Sequence, residues 1–207
     1  MTDMTLSSSS DTRVDVVERT ITLEGLCRIM FDRYAGDNDT KLAWHEKIYL
    51  TPGTNRLALP VANIFSFFTA QNTNSAPKVL RDPRKYKKIC LAIQSFVKFT
   101  STGDNEDYLE FSRDGEPIEV GTFGDEYEEL SGLKLHRSVA RLEKGIPNPK
   151  ERPVLDLPWS LELKMTIYPN SAIKEAEIKN LTHEGGLAVG LGTFRGQFGK
   201  FKVTGWS

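Results

Sequence analysis

Cysteine is scarce in this 207-residue chain: two residues, Cys27 and Cys90, far apart and outside any CxxC or Cys/His cluster. That excludes a disulfide framework and a thiolate zinc site, and predicts two reduced thiols in a cytoplasmic protein. Histidine is as rare, with His45, His136 and His183 alone. None stands in a Ser/His/Asp or HExxH pattern. No apolar run approaches the ~18 residues of a spanning helix, and no basic-then-apolar leader opens the chain, so no membrane partner is expected. Aspartates at EF-hand spacing are missing, and no glycine loop ends in GK[ST]. Neither a metal nor a cofactor is therefore expected, and no enzyme signature stands out.

What is present is an ordinary globular composition, 39% hydrophobic and 27% charged, in a chain long enough for one sizeable core. Residues 1–12 are serine-rich and predict a disordered tail. A single domain is expected over 13–207, with an insertion at about 100–157. The net charge of −1 hides segregation. Residues 104–129 carry eleven acids against Arg113. Residues 78–88 hold Lys78, Arg81, Arg84, Lys85, Lys87 and Lys88 against Asp82, and residues 134–152 add Lys134, Arg137, Arg141, Lys144, Lys150 and Arg152 against two acids. A basic face suits a polyanion, and an acidic face opposite it suits head-to-tail packing of copies.

Hydrophobic period gives a mixed order of elements. Residues 19–34 alternate and predict one long strand, followed by a short strand over 46–50. Pro60 suits a helix start, with Val61, Ile64, Phe65 and Phe68 at helical spacing. Residues 86–99 begin helical and end as a strand. Asp114-Gly115 marks a hairpin between 108–111 and 118–120. Strands are predicted over 133–142 and 154–168, separated by a proline-broken loop over 145–153. A helix over 171–181, capped by Asn170 or Ser171 with Glu175 nearby, precedes a last strand over 198–203. This order suits an α+β, ferredoxin-like (RRM-like) antiparallel sheet with helices on one face and an inserted hairpin, or thumb. Sheets of this kind bind RNA on the open face.

The stretch between those last two elements is the densest signal. Six glycines fall within residues 185–199, with Phe194, Arg195, Phe198 and Lys200 among them. Glycine at this density implies positive φ or close approach. Interleaved cations and aromatics point to an anionic, flat ligand, with exposed loop N–H groups and an unpaired Arg195 gripping phosphate. The expected nucleic-acid contacts are Arg81, Arg84, Lys85, Lys87, Lys88, Arg137, Arg141, Lys144, Gly192, Phe194, Arg195, Gly196 and Lys200.

The opening strand TITLEGLCRIMF, the phrase Leu59-Pro60-Val61-Ala62-Asn63-Ile64 and the terminal GLGTFRGQFGKFKV together resemble the RAMP superfamily. That group includes backbone subunits of CRISPR effector complexes, and phage-borne small proteins share the pattern. The resemblance covers about 50 residues in three pieces. It implies a ferredoxin-like core, a glycine-rich loop before the final strand, and an antiviral ribonucleoprotein whose partners are RNA or single-stranded DNA, further copies and other subunits. The family's proline phrase is richer in Ser, Lys and Gly, whereas Ile64–Phe68 here is apolar, so no RNA contact is assigned to that helix. Two other readings stay open: a virus-encoded structural or inhibitor protein using the fold for protein contacts, and a metal-independent riboendonuclease working through His136 or His183.

Overall fold

The computed structural model describes residues 15–37, 39–121, 132–141 and 147–207. The predicted tail over 1–12, Lys144 and all of residues 122–129 lie outside them.

Strand β1 (Val17–Gly25) opens the chain and buries Ile21 and Leu23 on one face. It stops at Gly25 rather than running on to Tyr34. A Cβ at Gly25 would lie 2.3 Å from Trp159 Cε2, so the backbone there presses against an indole ring. Beyond it, β2 (Ile29–Met30) joins a different sheet. The expected strand over 46–50 shrinks to β3 (Tyr49–Leu50), because Trp44–Lys47 form a 3-10 turn. Strand β4 (Leu57–Pro60) delivers the chain into α1 (Val61–Thr69), with Pro60 as its N-cap. Helices α2 (Ala76–Leu80) and α3 (Tyr86–Phe96) follow, and α3 passes directly into β5 (Val97–Ser101), as the change of period predicts.

Between β5 and the next core strand come β6 (Tyr108–Glu110), β7 (Ser112–Arg113), β8 (Glu116–Pro117), β9 (Leu133–Arg141) and β10 (Pro147–Leu155). Asp114 at φ 53° and Gly115 at φ 89° make the tight turn joining β7 to β8. Strand β10 corrects the expected proline-broken loop. Pro147, Pro149 and Pro153 face Arg141, Val139 and Leu135 of β9 in an antiparallel register. The Pro153 carbonyl accepts from Phe31 N–H on the opposite side, so the odd positions of β10 turn their backbone groups away from β9. Prolines placed there cost the ladder no donor.

The chain then turns at Asp156–Trp159, which splits the predicted 154–168 strand, and enters β11 (Ser160–Ile167). Helix α4 is Glu175–Ala188, not 171–181. Asn170 Oδ1 accepts from the N–H groups of Ala172 and Ile173, holding those residues in a turn, and Glu175 binds Arg19 instead of a cap. Strand β12 (Phe201–Trp206) ends the chain's ordered core.

The main sheet has six strands: its core runs β12–β1–β11–β5, β7 and β8 extend it from the end of β11, and every pairing is antiparallel. The four core strands carry the fold. Counting only these four, that is the order 4-1-3-2 with crossovers α1–α3 and α4, the ferredoxin-like α+β arrangement. Ile64, Phe67 and Phe68 of α1 and Ile178 and Leu181 of α4 cover Ile21, Leu23, Leu163, Phe99 and Phe201. The Phe68 and Phe99 rings stack 5.1 Å apart. Strands β2, β10 and β9 form a second sheet, in which β9 and β10 pair along their length.

Candidate nucleic-acid interface

The uncovered face of the core sheet is the first place to look, and its chemistry argues against stacking. It presents Glu18, Thr22, Glu24, Glu162, Lys164, Lys98 and Lys202, with no aromatic side chain. Some of its charges pair, Lys202 with Glu24 at 3.0 Å and Lys98 with Glu106 of a neighbouring loop at 3.2 Å. Among the described residues, a base would find no ring there.

The glycine-rich stretch is built differently from the sequence expectation. Gly185 and Gly186 belong to α4, where added Cβ atoms would strike Ala76, Phe67 and Phe201. These two glycines let α4 sit close to α1, α2 and β12. The loop itself, residues 189–200, returns the chain from α4 to β12. Gly190 and Gly199 have positive φ, and each would drive a Cβ into the other strand of the loop. The N–H groups of Gly190, Leu191, Gly192, Thr193, Gly196, Gln197, Phe198 and Gly199 are all donated inward, to Gly185, Gly199, Asn63, Met30, Val189, Phe194 and Arg28. Exposed backbone donors for phosphate are therefore not what this loop offers. Gly192 and Gly196 act by shaping it.

What the loop does offer is two side chains. Phe194 is held at φ 55°, an uncommon region for a bulky residue, and is 52% exposed. Arg195 points the other way, onto the first turns of α1. It is not free of local partners, as expected from sequence, but those partners are neutral. They are Ser66 Oγ at 3.2 Å and the carbonyls of Asn74, Gly192 and Asn63 at 3.3, 3.4 and 3.5 Å. Charge-assisted bonds normally close to about 2.7–2.9 Å. Arg19 and Arg81 reach 2.6 and 2.8 Å on carboxylates elsewhere in the molecule. No carboxylate pairs with Arg195 among the described residues. Burial disfavours its charge and pushes the guanidinium pKa down from its ordinary value.

Around the loop lie cations that sequence inspection did not assign. Arg28, exposed just after β1, sits over the Phe198 ring at 5.5 Å, and His136 of β9 meets the same ring edge-on at 5.3 Å. Arg152 of β10 lies 5.9 Å from the Phe194 ring. Met30, Val154 and Phe198 pack together beneath, joining β2, the hairpin and the loop. Pairs 170 residues apart in sequence meet here, so no local pattern could have shown it.

The other expected contacts divide. Arg84, Lys85, Lys87 and Lys88 are exposed at the start of α3 and share no hydrogen bond or ion pair with the loop among the described residues. Arg81 is committed to Glu177 at 2.8 Å and Glu184 at 2.9 Å, tying α2 to α4. Arg137 pairs with Glu151 at 3.0 Å. Lys200 is half-buried at the loop's end, Arg141 closes β9, and Lys144 is outside the described residues. No group of three metal-ligating side chains is found among the described residues, and no helix among them is long and apolar enough to cross a membrane.

No family model matches the sequence. No curated protein matches it either. Among solved structures, the chain is similar to a chain in the cryo-EM structure of the type III-B Cmr-beta bound to cognate target RNA, with a TM-score of 0.54 at 10% identity. The match covers 93% of this chain and 60% of that one, so this chain spans well under two thirds of its neighbour's length. At this identity the likeness is one of fold: the ferredoxin-like core assembled above also occurs in a subunit of that complex.

Proposed function

We propose that this protein is a non-catalytic nucleic-acid-binding subunit, of the RAMP type found in CRISPR effector assemblies, and that it takes RNA or single-stranded DNA beside further subunits. The observation that carries the reading is Arg195. A half-buried guanidinium with four long bonds to neutral acceptors, and no carboxylate among the described residues, is a costly arrangement that an incoming anion completes. Arg28 stands exposed on the same loop's flank, and Lys200 closes it. The similar solved chain belongs to a complex that holds RNA, which supports the same ligand class.

The test is the affinity of the purified protein for a labelled single-stranded RNA at low salt. Arg195→Ala is expected to weaken binding by roughly tenfold or more, the worth of a charged hydrogen bond. Arg195→Lys should fall between, since an ammonium cannot reproduce the fork. Because Arg195 also bridges the loop to α1, both variants should melt somewhat lower, so binding is measured well below their melting temperatures. Unchanged affinity in folded Arg195→Ala would contradict the proposal.

A further inference from the structure

Phe194 is exposed to solvent, yet one ring face carries a cation. That face is taken by the Arg152 guanidinium, 5.9 Å from the ring centre. That guanidinium is locked from behind, its Nε donating to Asp32 Oδ2 at 2.7 Å, and its side chain is only 12% exposed. Its Nη1 is buried with no hydrogen-bond partner. Phe194 itself is 52% exposed, on a backbone kept at φ 55° where glycine is the residue of least strain. The surrounding loop is fixed by its own inward hydrogen bonds. An exposed, strained aromatic on a rigid loop with a cation packed behind it is the build of a stacking platform.

We infer that Asp32, Arg152 and Phe194 form a platform for one unpaired base, so that this site selects single strands over duplex by the plane of the base and not by charge alone. The inference rests on the nucleic-acid reading above and gives it a substrate class. A planar base covers the open face of Phe194, while Arg152 behind the ring supplies positive potential and holds the phenyl in place. Interior bases of a duplex have both faces covered by their neighbours, so they cannot take this position without unstacking. Arg195, pointing to the other side of the loop, deals with phosphate and is separable from the platform.

The experiment uses three labelled ligands of equal length: a single-stranded RNA, its duplex, and an abasic strand carrying the same phosphates. Wild type should bind the single strand well above the other two. Phe194→Leu should weaken the single strand about 5- to 100-fold, the usual worth of one stacked base, and leave the abasic strand unchanged. Phe194→Trp should keep or improve single-strand binding. Phe194→Gly should melt no lower than wild type, because it relieves the positive φ, yet bind the single strand as weakly as Phe194→Leu. If wild type binds the abasic strand or the duplex as tightly as the single strand, or if Phe194→Leu binds normally, the platform is overturned while the Arg195 proposal stands. If wild type binds none of the three, both fall.

Discussion

Glu175 shows how much one side chain can be asked to do in this molecule. Its carboxylate accepts from Arg19 Nε at 2.6 Å and Nη2 at 3.0 Å, and from Trp206 Nε1 at 2.8 Å, tying the start of α4 to β1 and β12. The Arg19 bonds, then that from Trp206, hold its pKa below the usual carboxylate range. A depressed native pKa means that the unfolded chain binds the proton more readily. Its stabilisation is therefore complete above the unfolded value near 4 and is lost as pH falls through the native one. Glu175→Gln should lower the melting temperature at pH 7, and the gap to wild type should close as pH falls below the unfolded carboxylate value of about 4. A gap independent of pH would show that the charge is not what matters. Gly25 makes a second residue-scale case. With Trp159 Cε2 2.3 Å from any Cβ, and Trp159 Nε1 anchored to the Cys27 carbonyl at 2.8 Å, Gly25→Ala has to move the indole. It should cost about 1–3 kcal/mol, read by denaturant unfolding and by tryptophan fluorescence.

The elements differ in how far the sequence alone reveals them. Strand β1 is legible in its inward half because Ile21 and Leu23 alternate with polar residues, and the α3-to-β5 change is legible because the period shifts from 3.6 to 2 within one segment. Strand β10 is not, since Pro147, Pro149 and Pro153 read as breakers until the register shows them all turned away from β9. The start of α4 is hidden for a related reason: Asn170 does accept from backbone N–H groups, but in a turn that precedes the helix. The basic run 78–88 likewise hides two roles. Arg81 is a strap between α2 and α4, whereas Arg84, Lys85, Lys87 and Lys88 are exposed. Arg81→Ala should therefore lower stability, by up to about 1 kcal/mol given the exposure of Glu184, and leave RNA affinity unchanged. Replacing the four exposed cations with alanine should leave the melting temperature within about a degree. Were the two variants to exchange these behaviours, the assignment of Arg81 to structure would be wrong.

At the scale of the whole molecule, the fold places three distant pieces at one end of the sheet: the turn after β1, the base of the β9–β10 hairpin and the loop before β12. The loop and the first strand are legible in short motifs, but Arg28 and Arg152 gain their meaning only from topology. The 4-1-3-2 order itself has no local signature, because it is set by which strands bury Ile21, Leu163, Phe99 and Phe201 against α1 and α4. A net charge of −1 gives no general attraction to polyanions, so the proposed binding is assigned to this local site. The salt dependence of single-stranded RNA binding tests that most directly. Each phosphate engaged contributes a slope of about 0.7 in log affinity against log salt. Wild type should show such a slope, Arg195→Ala should bind more weakly with the slope reduced by about 0.7, and Arg195→Lys should bind more weakly with the slope retained. A wild type that binds no single strand at low salt, or an Arg195→Ala variant with wild-type affinity and slope, would contradict the account.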